Sequence, residues 1–387
     1  MNAGADVAVV GAGVVGLSIA YYLARAGADV ILIEKGALAA GASGDNLGQL
    51  SVLDREEPAE LRWTRESLAL YREIAEEEGV ETELLQSGGL LLFRSEEQKR
   101  LGLELMERQS ARGIPVSYLD VDDIRTIEPY FSGGDAVGGL HCPWEGSIMP
   151  LKILSGLTEA IKRRGARVHY RTEVTDFETR GDSVTKLHTT GGTIEVRSVV
   201  LATGSWTAEL CDKLGVEVPV HYHRGTALVT VPVPRYIRTV IVSGGFLLNR
   251  PITGRVVGLG VAQHLNGSII IGQASETSLD YDRSLTVEGV YETIRNFLVY
   301  FPSLRDLEFI RVWAGNTTYT EDGFPVYGYS STFSNLFFAA GLKGAFSTAL
   351  GAGRMAAGLI EAGRDSTELM TMQPERGKRV YGKYNQL

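Results

Sequence analysis

At 387 residues the chain is too long for one small domain and points to two closely packed ones. With 44% hydrophobic and 22% charged residues it reads as a globular protein with a sizeable core, and its net charge of −9 argues against a nucleic-acid partner, which would need a basic face to displace counterions. Cys142 and Cys211 are too few for a disulfide framework or an iron–sulfur site, so a reducing compartment and a cytoplasmic location are expected.

Residues 6–10 read as a short apolar strand. Gly11-Ala12-Gly13-Val14-Val15-Gly16 follows, then helical spacing to Ala26 and a second strand over 29–33 that ends in Glu34. This is a βαβ fingerprint in full context. Gly11 allows the tight turn, Gly13 lets backbone N–H groups approach a pyrophosphate, and Gly16 lets the helix lie close to the strand. Glu34, 18 residues after Gly16, suits ribose hydroxyls and repels a 2′-phosphate. The apolar run 7–23 is no membrane span, because glycines interrupt it and Arg25, Asp29 and Glu34 follow closely.

Lys35 and the small, polar run Gly41-Ala42-Ser43-Gly44-Asp45-Asn46-Leu47-Gly48-Gln49 suit a cofactor that continues past its adenosine half, which favours FAD over NAD. The charged, amphipathic helix 60–78 reads as a solvated face. A strand at 88–93 and charged helices fill residues 82–142. Residues 166–174 read as one strand of the nucleotide-binding sheet, and a buried strand from Ser198 ends in the turn Ala202-Thr203-Gly204-Ser205-Trp206. Within 219–312 the segments 226–230, 246–248 and 269–272 alternate like strands of a second sheet. A last strand, 335–340, meets Gly341-Leu342-Lys343-Gly344, which opens a helix to about residue 362. The start of that helix suits an anionic reduced flavin ring. Gly351-Ala352-Gly353 falls inside the helix and reads as close packing, not as a second nucleotide site.

With these residues in view the chain resembles the D-amino acid oxidase-like superfamily of flavoproteins. That group includes glycine and sarcosine oxidases and the β subunits of proline, hydroxyproline and opine dehydrogenases. The matching pieces are the Gly11 fingerprint with Glu34-Lys35, the Gly41 run, the Ala202 turn, Trp313-Ala314-Gly315, residues 320–328 and the Gly341 turn. The resemblance implies non-covalent FAD in an α/β, discontinuous Rossmann-like domain (1–81, 143–218, 313–387), with an inserted α+β substrate domain on a mostly antiparallel sheet (82–142, 219–312). It also implies that Val174 meets the adenine through its backbone. In the β-subunit type, an α-type partner subunit carries further redox centres, with FMN at the interface.

Three departures stand out. Residues Gly315-Asn316-Thr317-Thr318-Tyr319 lack the arginine that clamps the substrate carboxylate in many of the family's oxidases, and they lack a flavin-linking cysteine. Ser268-Ile269-Ile270-Ile271-Gly272-Gln273 lacks the oxygen-activating lysine of a similar strand in sarcosine oxidase. These departures tilt the expectation towards a dehydrogenase acting on an amine or N-substituted amino acid. A peroxide-forming oxidase and a flavin-carrying subunit active only in a complex are the alternatives. Lys343, Arg224 and Arg250 are the candidate carboxylate clamps, His223 a candidate base, and Asn316 and Thr318 polar stand-ins for the missing arginine.

Overall fold

The computed structural model describes residues 2–248, 255–277, 281–320, 322–363 and 366–376. The strand Asn2–Val10 and the strand Val30–Ile33 pair in parallel across the helix Val14–Arg25, so both strands end at the Gly11 turn. Eleven of that helix's twelve residues are buried. The cause is packing on both sides: it lies under Ala349–Ala362 and Pro150–Arg163 as well as on the sheet.

The sheet runs Val326–Tyr329, Leu336–Ala340, Gly192–Leu201, Asn2–Val10, Val30–Ile33, Arg167–His169. Its first pair is antiparallel and the rest parallel, with Val10 opposite both Leu201 and Ile33. Ser183–Thr189 and Val174–Arg180 form an antiparallel branch on Gly192–Leu201. Parallel strands covered on both faces must be apolar throughout, and Val30–Ile33 and Leu336–Ala340 are fully buried.

A second eight-stranded sheet runs Phe309–Thr320, Val220–Thr230, Ile269–Thr277, Arg255–Gln263, Val240–Ser243, Gly89–Phe93, Gly138–Cys142, Ser117–Leu119. Only the pairing of Val240–Ser243 with Gly89–Phe93 is parallel among the described residues. The helix Val287–Tyr300 covers this sheet through Phe297 and Tyr300. The fold is thus the expected α/β nucleotide-binding architecture with an inserted, mostly antiparallel sheet.

Several local expectations differ from what is observed. Residues 246–248 lie in a 3₁₀ turn, Gly244–Leu248, where two adjacent glycines disfavour strand pairing. The segment 166–174 is two elements. Arg171 takes a positive φ of 53°, and its N–H donates to the Gly36 carbonyl, so the chain bends over the end of the second strand before Val174–Arg180 begins. The last helix starts at Ala349, after a 3₁₀ turn at Ala345–Ser347. The helix Pro58–Glu78 is more than a solvated face, because Trp63, Tyr71 and Ile74 are buried in the core. Gly351 and Gly353 do serve close packing: a Cβ on them would lie 2.6 Å from the Trp63 backbone and from the Ser18 Cβ respectively.

Candidate active site

Two adjoining cavities lie where the sheets meet, of about 430 and 490 Å³. Asn46, Leu47, Gln273, Thr317 and Gly344 line both.

The first cavity is built on the Gly11 turn. Gly11 has φ +102°, and a Cβ there would meet the Ala202 carbonyl oxygen at 2.5 Å. A Cβ on Gly16 would lie 1.9 Å from the Gly11 carbonyl oxygen, so that glycine sets how closely helix and strand pack. Gly13 caps the helix without a side-chain bond, and Ser43 Oγ accepts from the Val14 N–H at 3.0 Å. The Glu34 carboxylate accepts from the Ala12 N–H at 2.9 Å and the Gly36 N–H at 2.7 Å, which holds it at the cavity wall beside the fingerprint. Lys35 Nζ lies 4.0 Å over the Trp206 ring, and burial lowers its pKa.

Most residues expected to hold a cofactor line this cavity. They include Gly11 to Val15, Glu34, Lys35 and Gly41 to Ser43. Asn46 and Leu47, Val174, Ala202 to Gly204, Trp206, Gly315, and Gly341, Leu342 and Gly344 join them. Four stand elsewhere. Gly16 packs helix on strand, and Gly48 (φ +73°) closes on the Ile148 carbonyl oxygen, while Gln49 and Lys343 line only the second cavity. Asp45, Ser205 and Gln273, which fall within motifs noted in the sequence, also line the first cavity, as do Tyr281 and Arg283, which the sequence did not single out. The Tyr281 ring lies 4.0 Å from that of Trp206, tilted by 37°, and Arg283 donates to the Asp45 carboxylate at 2.5 and 2.7 Å and to the Ala40 carbonyl at 2.9 Å.

Asn316 lies in this cavity, 1% exposed, and neither its amide nitrogen nor its oxygen has a hydrogen-bond partner among the described residues. A buried amide left wholly unpaired is costly, so its presence fits a polar ligand that satisfies it. A glycine cradle, a wall carboxylate and an amide without a partner among the described residues, all lining one cavity, suit a dinucleotide cofactor.

The second cavity gathers residues from distant segments. Asp54 and Arg55 come from the stretch before Pro58, Glu145 from the turn after Gly138–Cys142, and Lys343 from the Gly341 turn. Thr317 and Tyr319 come from the edge strand, where alternation turns Thr318 the other way, onto Ser205 Oγ at 3.0 Å. Arg55 is 3% exposed. Its contacts are long: Nε to Asp54 at 3.5 Å, Nη1 to Glu60 at 3.8 Å and Nη2 to the Gly344 carbonyl at 3.5 Å, and Nε makes no hydrogen bond among the described residues. Burial opposes ionisation of Asp54, yet Arg55, Lys343 and the Ser51 hydroxyl outweigh it and hold its pKa below the usual range. Burial lowers the Lys343 pKa and raises that of Glu60 to about 7.

The remaining candidates stand apart. Arg224 is tied to Glu276 at 2.5 Å and to Asp282, and it lines neither cavity. His223 also lines neither; it packs edge-on to Tyr319, and burial lowers its pKa. Arg250 lies outside the described residues.

A dinucleotide cradle that opens onto a second, charged cavity beneath an antiparallel sheet defines a dinucleotide-dependent enzyme of the flavoprotein type. The chain belongs to the FAD dependent oxidoreductase family, whose model matches residues 6–359. It is similar to glycine oxidase of Geobacillus kaustophilus, at 29% identity over 87% of each chain. It is also similar to the B subunit of opine oxidase from Rhizobium meliloti, at 27% identity over 87% of this chain and 88% of that one. Among solved structures it resembles L-proline dehydrogenase from P. horikoshii, with a TM-score of 0.88, 26% identity, and coverage of 97% and 98% of the two chains. Among the described residues no helix is long and apolar enough to cross a membrane.

Proposed function

We propose that the protein oxidises the C–N bond of an amino acid, most fittingly an N-substituted one, by hydride transfer to FAD. Bound FAD supplies the hydride acceptor; the chain's own residues bind, orient and shield the substrate. The observation that carries this reading is the second cavity, where buried Arg55, whose Nε lies 3.5 Å from Asp54 and makes no hydrogen bond among the described residues, stands beside Lys343, next to the cofactor cavity. A substrate carboxylate would bind across Arg55 and Lys343. Arg55 thus takes the place of the arginine missing from residues 315–319. The 490 Å³ available exceeds what glycine needs, and Leu91, Val242, Val257 and Leu259 offer an apolar wall to an N-substituent or side chain. The second sheet is accordingly the substrate domain, residues 82–142 and 219–312 in outline, extended by the edge strand Phe309–Thr320.

We infer further that electrons leave to an acceptor other than oxygen, with the chain as the catalytic subunit of a hetero-oligomeric dehydrogenase whose partner carries another redox centre. Two points support this. The strand Ile269–Thr277 brings Gln273, not a cation, to the junction of the cavities. The chain also matches relatives named as single subunits of larger enzymes, the B subunit of opine oxidase and the beta subunit of sarcosine oxidase. The likeness to glycine oxidase favours a second reading, a peroxide-forming oxidase.

Anaerobic mixing with D- and L-amino acids, proline derivatives, sarcosine and opines tests the reading: the right substrate bleaches the flavin. A panel that never reduces bound FAD refutes it. Peroxide formed as fast as a dye is reduced selects the oxidase.

A further inference from the structure

Amine oxidation leaves one requirement without an owner. An amino acid reaches the site as its ammonium ion, and the nitrogen lone pair must be freed before the C–H electron pair can leave. Six titratable groups line the second cavity: Asp54, Arg55, Arg94, Glu145, Tyr319 and Lys343. Most are poorly suited to take that proton. Asp54 is held ionised by Arg55, Lys343 and the Ser51 hydroxyl, burial pushes the Tyr319 phenol far up, and Arg94 is bound to Asp135 at 2.7 Å. Lys343 and Arg55 are the cations of the carboxylate anchor.

Glu145 is different. It is 2% exposed and forms no ion pair among the described residues. Its Oε1 accepts from the Val52 N–H at 2.8 Å, the Leu53 N–H at 2.9 Å and the Ser51 hydroxyl at 3.2 Å, which fixes the carboxyl plane. Oε2 lies against Gly89, where a Cβ would meet it at 2.0 Å, and no hydrogen bond engages it among the described residues. Burial raises the carboxyl to about 7; the charge of Asp54 adds to the rise, and the two backbone N–H groups oppose it. The charged and titratable groups around it are Asp54 and Arg55 on the 51–57 stretch, with Glu60 behind Arg55, Cys142 on the preceding strand, and Lys343 across the cavity.

We propose that Glu145 accepts the substrate's ammonium proton on Oε2. This rests on the oxidation proposed above. The proton passes from nitrogen to Oε2. The nitrogen lone pair then forms the C=N bond as the C–H bond breaks, and that bond's electron pair goes to FAD as hydride. The substrate loses two electrons, the flavin gains them, and the proton waits on Glu145 until solvent takes it. Glu145 also pins the 51–54 stretch, so the test must separate chemistry from positioning.

The experiment follows anaerobic flavin bleaching at saturating substrate from pH 6 to 10, using a substrate found in the panel above. Glu145→Gln keeps an acceptor oxygen for the three donors but cannot take a proton. It should be about 100-fold slower at pH 7. It should then climb about tenfold per pH unit and converge on the wild type as the substrate arrives already deprotonated. FAD content by absorbance checks that the variant is loaded. A purely positioning role gives the same deficit at every pH and overturns the assignment, as does no deficit at all. The same rescue in Lys343→Met but not in Glu145→Gln moves the role to Lys343. A measurement that needs no variant uses two substrates whose ammonium pKa values differ. The wild-type limb should stay at about 7 for both; a limb that tracks the substrate overturns the assignment. If no substrate bleaches the flavin, the oxidation reading itself fails, and the assignment with it.

Discussion

Arg283 ties the two walls of the cofactor cavity together, and its removal should loosen the cofactor without touching the Gly11 cradle. Tyr281 packs against Trp206 on one wall, while Arg283 grips Asp45 and the Ala40 carbonyl on the other. Arg283→Met removes two charge-assisted contacts and leaves Asp45, whose side chain is 6% exposed, without its cation. Hydrogen bonds to charged groups contribute about 1.5–3 kcal/mol. The Arg283 side chain is 38% exposed, so solvent screening places it towards the lower end, at about 2 kcal/mol. That corresponds to FAD release about 30-fold faster. The assay dilutes the holoprotein and follows the fluorescence of released flavin, with Arg100→Met, which removes an exposed pair with Glu104, as the control. A release rate equal to that of the control would refute the idea that these residues hold the cavity shut.

Other outcomes follow from the same geometry. Gly13→Val should abolish cofactor retention, since even a Cβ there lies 3.1 Å from Ser43 Oγ and further atoms would enter the phosphate path; a yellow, fully loaded variant refutes this. Lys343→Met should raise the substrate concentration needed for half-maximal bleaching about tenfold or more while FAD stays bound, and unchanged affinity removes Lys343 from the anchor. Glu145 also governs stability against pH. Its folded pKa of about 7 exceeds the 4.5 of an ordinary glutamate, so between these values the folded state binds the extra proton and stability falls as pH rises. Chemical denaturation at pH 5 and pH 8 should show a smaller decline for Glu145→Gln than for the wild type. Gly351→Val should lower stability by about 3 kcal/mol or more by forcing the helix Ala349–Ala362 off Trp63, read as a drop in the denaturation midpoint.

The cofactor half was legible in the sequence because its chemistry is local. Gly11, Gly13, Gly16 and Glu34 act through backbone geometry fixed within one βαβ unit, so spacing alone carries the information. Lys35 and Ala202 to Gly204 follow closely after strands whose ends must converge at that turn, and Gly41 to Ser43 lie in the loop that leaves one of them. The substrate half was mostly hidden. Asp54-Arg55 lies in an irregular stretch with no motif, and Glu145 sits in a turn. They meet Lys343 only because Gln109 holds the carbonyls of Leu53 and Arg55 and Ser347 Oγ accepts from the Ser51 N–H. No spacing rule encodes contacts between segments so far apart in the chain. Arg224 shows the converse: it reads as a candidate carboxylate clamp, yet two acids on neighbouring segments, Glu276 and Asp282, bind it.

The Gly341 turn joins the two halves, and its shape follows from two residues. Gly341 and Gly344 take φ of +70° and +55°, a conformation that side chains disfavour, and at Gly344 a Cβ would also meet the Arg55 guanidinium at 2.5 Å. The double reversal sends Gly341 and Leu342 to the cofactor cavity and Lys343 to the other one, while Gly344 borders both. The same four residues therefore fix how far the anchor cations stand from the cofactor. Gly344→Ala should displace Arg55 and Lys343 together: it should weaken substrate binding and slow bleaching at saturation, because the C–H bond would no longer be held in line. FAD affinity should change little, since the Gly11 cradle is untouched. A variant that loses its flavin but reduces normally once reconstituted would place the turn in cofactor binding alone.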